Sequence, residues 1–223
     1  MIRLSTVFLT YFSICALLAQ NSLSIPFIED FSQSLTKPDT TKFIDESGVF
    51  INNTFSGKQN SYNIATFDGL DQNGIPYNQI PSGGNPNFPR NGVGDVLTSL
   101  PIDLSSLSLS DQIVFSFWWQ KGGINSLLKP ELEEGDSLKL FFLDEDSIWN
   151  QVWPLGTSRE AVIAAVEGSE FRADSIVLES TFLHENFRFQ FEYSGTLISN
   201  SDIWNVNHLF LDSGRVDKFA NDV

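Results

Sequence analysis

The sequence predicts an all-β protein, a two-sheet antiparallel jelly-roll sandwich with one short helix in a connection. Three observations carry this. Gly, Pro, Asn, Asp and Ser recur about every ten residues, the interval at which a sandwich turns its strands. In 187–193, Phe187, Phe189, Phe191 and Tyr193 alternate with Arg188, Gln190 and Glu192, the pattern of a strand with one face in a core and one in water. The chain is 41% hydrophobic with 20 Phe among 223 residues, too apolar for a disordered chain and long enough to bury a single large core.

The elements follow in chain order. Arg3 and the apolar run Val7 to Leu18 form an export signal, with cleavage expected between Ala19 and Gln20. The run is shorter than the roughly 20 apolar residues that span a bilayer, so the only membrane involvement expected is through export. The sandwich is expected over 26–212. Val49 to Asn52 and Ala65 to Asp68 are its first candidate strands. Residues 69–95, with Pro76, Pro81, Gly83, Gly84, Pro86 and Pro89, read as a long irregular loop. In 113–119, Ile113, Phe115, Phe117 and Trp119 share one face and Val114, Ser116 and Trp118 the other, so the strand is expected to be covered on both sides. A loop over 121–136 carries Gly122, Gly123, Glu131, Glu133, Glu134 and Asp136. Leu138, Leu140 and Phe142 mark a strand. Arg159 to Glu167 is the short helix, with Ala161, Ala164 and Ala165 as helix formers. Ile176 to Leu183, 187–193 and 204–211 complete the strands. The polar stretch 213–223 reads as the start of a linker to a downstream region.

Charge and cysteine narrow the partners. The formal net charge is −15. Removing 1–19 takes away one basic residue, Arg3, and no acid, which makes it −16. Such a chain repels phosphates, which argues against nucleic acid. The one cysteine, Cys15, leaves with the signal, so an exported domain must be held by its core, alone or with a metal.

No G-x-S-x-G elbow, H-E-x-x-H zinc site, P-loop or dinucleotide-binding glycine pattern is present. No catalytic residue is assigned and the chain is read as a non-enzyme. His208 falls on the apolar side of its strand and is expected in the core; His184 is expected exposed in a turn. Glu131, Glu133, Glu134 and Asp136 could in principle supply paired carboxylates for glycoside hydrolysis, but a run of acids beside Gly135 reads better as solvated surface. Calcium is the more credible chemistry, since it takes oxygen ligands gathered from loops. The candidate clusters are Glu29-Asp30, Asp68 with Asp71, and Asp202. Tryptophans can also stack on sugars. Trp118 and Trp119 are adjacent and must face opposite ways. Trp149 and Trp153 flank an expected turn and are the candidate exposed, ligand-binding pair.

Asp136-Ser137-Leu138, Asp146-Ser147-Ile148 and Asp174-Ser175-Ile176 resemble the O-glycosylation signal of exported Bacteroidetes proteins. A longer ordered series carries a broader resemblance: Phe27-Ile28-Glu29-Asp30-Phe31-Ser32, Asn52-Asn53-Thr54-Phe55, Ala65 to Leu70 with Gly74 to Tyr77, Asp95 to Leu104, Phe115 to Gln120, Gly135 to Leu138, and Asp202 to Asn207. Over about 26–217 the chain resembles the N-terminal domain of large Bacteroidetes proteins exported by type IX secretion, similar in layout to the concanavalin-like MAM and cleaved-adhesin domains. The resemblance implies a secreted or cell-surface module for adhesion or recognition of an extracellular protein or glycan, often with structural calcium. Glu29 and Asp30 match that calcium set at the first strand, joined by Asp202 and by Asn207, which stands where the family's last strand has Asp. The alternative it leaves is a carbohydrate-binding module serving a glycan-acting enzyme system.

Overall fold

The computed structural model describes residues 22–45, 47–78, 91–123, 136–153, 170–200 and 202–215. The expected export signal, the helix over 159–167, Glu131, Glu133, Glu134 and most of the C-terminal stretch lie outside the described residues. Among the described residues no helix is long and apolar enough to cross a membrane.

Among the described residues, ten strands form two antiparallel sheets. They are β1 (Phe27–Glu29), β2 (Phe50–Asn52), β3 (Ile64–Phe67), β4 (Asn91–Thr98), β5 (Val114–Lys121), β6 (Ser137–Leu143), β7 (Trp149–Trp153), β8 (Arg172–Val177), β9 (Phe189–Thr196) and β10 (Trp204–Asp212). The six-stranded sheet runs β2-β3-β10-β5-β8, with β1 added beside β10; the four-stranded sheet runs β4-β9-β6-β7. This is the two-sheet sandwich that the alternation predicts. On one flank β10 pairs with β5. On the other its start pairs with β3 and its end with β1. The change of partner coincides with a bulge between Asn207 and Phe210, where His208 takes φ 48°. A left-handed residue kinks and twists a strand. His208 is therefore half-buried in a bulge instead of lying in the core as expected.

Aromatic rings from the two inner faces fill the space between the sheets. Phe115 of β5 meets Phe189 of β9 at 4.7 Å and Phe142 of β6 at 5.6 Å between ring centres. Phe117 meets Phe191 edge-on at 5.1 Å. Each buried ring contributes about 1.5–3 kcal/mol by leaving water. Edge-to-face pairs add roughly 0.5–1.5 kcal/mol beyond that burial. The fold thus needs no disulfide.

The outer face of the six-stranded sheet is polar and covered at its centre. Asn52 donates to Thr66 Oγ1 at 2.8 Å, Thr66 donates to Asn205 Oδ1 at 2.8 Å, and Asn205 donates to Gln120 Oε1 at 3.0 Å and Gly122 O at 2.7 Å. This ladder crosses four strands: Thr66, Asn205 and Gln120 are in register, and Asn52 reaches Thr66 diagonally. Residues between β2 and β3 roof it over: Gln120 donates to Gly57 O at 2.7 Å, and Asn207 donates to Asn60 Oδ1 at 3.1 Å and to Ser61 Oγ. Asn205 and Asn207 are completely buried. A buried amide is tolerated only when its donors and acceptors are used, and here they are.

Three boundaries differ from expectation. The expected loop 69–95 gives way to β4 at Asn91. The expected strand over 176–183 lies earlier, as β8, and then tightens into a 3₁₀ turn at Ser180–Phe182. Trp149 and Trp153 lie within one strand instead of flanking a turn.

Candidate functional site

With the centre of that face covered, the outer face of the four-stranded sheet presents a row of side chains that can meet a ligand. Leu138, Leu140, Phe142, Phe189, Phe191 and Tyr193 point into the core, so their neighbours in sequence point out. Register places Thr98, Gln190, Phe141 and Gln151 in one row across all four strands. Thr98 donates to Gln190 Oε1 at 3.2 Å. The next row holds Leu143 opposite Trp149, and Leu143 N–H donates to Arg188 O at 2.9 Å, which brings Arg188 alongside. On the other side Val96, Glu192 and Lys139 form a third row. Lys139 Nζ lies 3.9 Å from Glu192 Oε1, a half-exposed pair.

The central row sets a half-buried aromatic ring, Phe141, between two side-chain amides. Trp149 lies diagonally from it, within reach for large side chains, and is 36% exposed. Arg188 Nε is buried with no hydrogen-bond partner among the described residues. A ring face flanked by amides and a guanidinium can take a sugar: the apolar CH face stacks on the aromatic, and the hydroxyls meet the donors and acceptors. His184 borders the row, its Nε2 3.0 Å from Leu143 O, so it is half-buried there instead of exposed.

The expected pair of exposed tryptophans is half corrected. Trp153 is 7% exposed and belongs to the core. The cause is a register shift. Gln151 pairs with Phe141, but Trp153 pairs with Leu140, leaving Val152 as an extra residue. A bulge reverses side-chain parity, so Trp149 and Gln151 face out while Trp153 turns in.

The expected calcium ligands do not gather into one cage. Glu29 accepts from Phe31 N–H at 2.6 Å and pairs with Lys42 Nζ at 2.9 Å. Asp30 accepts from Ser32 N–H at 2.9 Å. Asn207 Oδ1 accepts from His208 N–H at 2.7 Å. Asp202 lies before β10, five residues ahead of Asn207, where it faces Lys121 Nζ at 3.6 Å. Burial holds the Lys121 amine below its ordinary range, against the pull of Asp202 and Asp136. Among the described residues, no group of three or more His, Cys, Asp or Glu side chains is placed to hold a metal ion. These residues do not fit the implied calcium, and no chemistry below is routed through it.

Asp68 and Asp71 also serve other ends. Asp71 caps its own turn, accepting from Asn73 N–H at 2.8 Å and Ile75 N–H at 2.9 Å. Asp68 accepts from Leu70 N–H at 2.7 Å, and its own N–H donates to Asp95 Oδ2 at 2.8 Å. Tyr77 donates to Asp95 Oδ1 at 2.7 Å. Burial pushes Asp95 up to about 8, helped by the charges of Asp68 and Asp71 and opposed by these hydrogen bonds. Burial likewise pushes Asp68 up to about 6. Gly48, at φ 75°, closes the cluster: a Cβ there would strike both the Tyr77 hydroxyl and the Asp95 carboxylate. The group ties the turn after β3 to β4.

No family model matches this chain, and neither does any curated protein. Solved structures do show likeness. One is an arabinose-bound GH51 α-L-arabinofuranosidase, at 11% identity and TM-score 0.41, covering 82% of this chain. The chain spans only 25% of that enzyme's length. Another is a carbohydrate-binding module of type CBM28, specific for non-crystalline cellulose, at 12% identity and TM-score 0.39, covering 76% of this chain and 86% of that one.

Phe141, Gln151, Arg188 and Gln190 were not among the residues singled out from sequence. Phe141 is hidden in the apolar run Leu140 to Leu143, and only pairing decides which side of that run is core. Arg188 and Gln190 carried a signal, as the polar phase of the 187–193 alternation, but that phase reads equally as plain solvated surface.

Proposed function

We propose that this chain is a non-catalytic, extracellular recognition module that binds glycan on the open face of its four-stranded sheet. The row Thr98–Gln190–Phe141–Gln151, with Trp149 diagonal to it, supports the reading most directly. It presents stacking rings between polar groups that match ring hydroxyls, and nothing in it activates a nucleophile. The expected export signal and the acidic surface fit a secreted or cell-surface setting. An adhesion role and a role serving a glycan-acting enzyme both use this same face.

Affinity electrophoresis in gels holding soluble β-glucans, xylans or mannans tests it. Wild type should be retarded in at least one gel. Phe141→Ala and Trp149→Ala should migrate as in the empty gel while keeping their far-ultraviolet circular dichroism. Retardation that persists in both variants would place binding elsewhere. Mobility unchanged by every polysaccharide would remove glycan from the account.

A further inference from the structure

At one end of the sandwich lies an arrangement that the glycan-binding face does not use. Lys121 closes β5 on the same side as Phe115, Phe117 and Trp119, so its side chain enters the interior. That side chain is 0% exposed and its neighbour Asp202 is 8% exposed. Lys121 Nζ stands 4.9 Å above the Trp204 ring. Its distance to Asp202 Oδ1 is 3.6 Å, and among the described residues it has no acceptor within hydrogen-bond reach. Trp204 Nε1, in the same wall, also has no partner among the described residues.

This is a costly way to bury an ion pair. A dry ammonium and carboxylate repay their lost hydration only through short, well-made hydrogen bonds, and charge-assisted pairs settle near 2.7–2.9 Å. Here the two groups are held against each other without that contact. The 3.6 Å runs from Nζ to Oδ1; the carbon to be attacked, Cγ, is one bond from that oxygen, so only a small approach brings the reacting atoms to the roughly 3–3.5 Å of bound reactants. A second carboxylate, Asp136, acts on the same amine. Tyr193 is buried under the influence of both Asp202 and Asp136.

We propose that Lys121 and Asp202 condense into an intramolecular isopeptide bond, with Asp136 carrying the proton. Proton transfer inside the pair turns ammonium and carboxylate into amine and carboxylic acid, with no change in composition. The Nζ lone pair attacks Cγ of Asp202 and the N–Cγ bond forms. Asp136 takes the proton that nitrogen sheds and returns it to the departing oxygen. The Cγ–O bond breaks and one water leaves. Two buried charges become one neutral amide, which removes the desolvation cost. The bond would close a loop containing β6, β7, β8 and β9 and tie the end of β5 to the residues entering β10, its neighbour in the six-stranded sheet. In a chain whose one cysteine is Cys15, it would play the part of a disulfide by restricting the unfolded state.

Denaturing mass spectrometry of the purified chain tests this. Wild type should be lighter than expected from Asp202→Ala by one water molecule beyond the substitution itself. Its tryptic digest should lack cleavage at Lys121 and contain a branched peptide joining Lys121 to Asp202. Lys121→Met should show the unreduced mass, and Asp136→Ala should lose most of the cross-link. A wild-type mass equal to that of the uncondensed chain overturns the proposal. So does a water loss that maps to a succinimide at Asp68-Gly69. A cross-link that persists fully in Asp136→Ala overturns the role given to that residue. The readout is covalent, so a poorly folding variant cannot hide the wild-type result, and it is independent of glycan binding.

Discussion

Trp153, on the edge strand of the four-stranded sheet, donates its indole N–H at 2.8 Å to Asp174 Oδ2, on the edge strand of the six-stranded sheet. Trp119 donates to the same oxygen at 2.8 Å. One carboxylate thus pins both sheets along one side of the sandwich. Asp174→Ala leaves two largely buried N–H groups without an acceptor, each costing about 1–3 kcal/mol. Urea unfolding should show a loss of roughly 2–5 kcal/mol. Asp174→Asn keeps one oxygen acceptor and should lose about half as much. A change below about 0.5 kcal/mol in Asp174→Ala would mean that the clamp carries no load.

The two tryptophans of β7 should separate cleanly. Trp153→Ala opens a cavity against Phe117 and Trp119 and should destabilise by about 3–5 kcal/mol. Trp149→Ala, on the open face, should change stability by no more than about 0.5 kcal/mol while abolishing retardation by polysaccharide. Equal unfolding midpoints for the two variants would contradict the bulge at Val152.

The polar ladder has its centre at Asn205, which accepts from Thr66 and donates to Gln120 and Gly122. Asn205→Leu is similar in volume but strands three partners, one on β3 and two at the end of β5. A loss of about 2–4 kcal/mol is expected from the guanidinium midpoint, with the slope unchanged. A neutral result would show that water or a rearranged roof replaces the amide.

Asp95 gives stability a pH dependence of defined sign. Its native value is raised to about 8, whereas an unfolded carboxylate titrates near 4. Between these the native state holds a proton that the unfolded state has released, so stability falls as pH rises and levels off above the native value. Asp68, raised to about 6, adds to the lower part of the window. Asp95→Asn removes one ionisation, so Tm should fall less between about pH 5 and about pH 8.5 than in wild type. Parallel curves for the two proteins would show that Asp95 does not titrate there.

Much of the fold was legible before any coordinates. Phe189, Phe191 and Tyr193 mark one face of β9 without ambiguity, because a period of two admits one assignment of inside and outside. Residues 113–119, mostly apolar on both phases, read correctly as a strand covered on both sides. Trp118 and Trp119 must part, and they do: Trp119 is buried and Trp118 half-buried. The site was less legible. Phe141 falls on the outward phase with Ser137 and Lys139, but the apolar run Leu140 to Leu143 hides it as a site residue, and Trp153 shares its parity with the exposed Trp149, so local periodicity misplaces Trp153.

Composition and alternation by themselves determined that this chain is an all-β sandwich with an aromatic core, since both depend only on neighbours along the strand. Tertiary pairing decided the rest. Whether Val152 bulges depends on the register against β6, and whether Asn205 can be buried depends on Thr66 and Gln120. Whether Lys121 meets Asp202 depends on β10 returning beside β5. Each of these joins residues far apart in sequence, and the energy of such a contact belongs to the pair, so neither residue alone carries its sign.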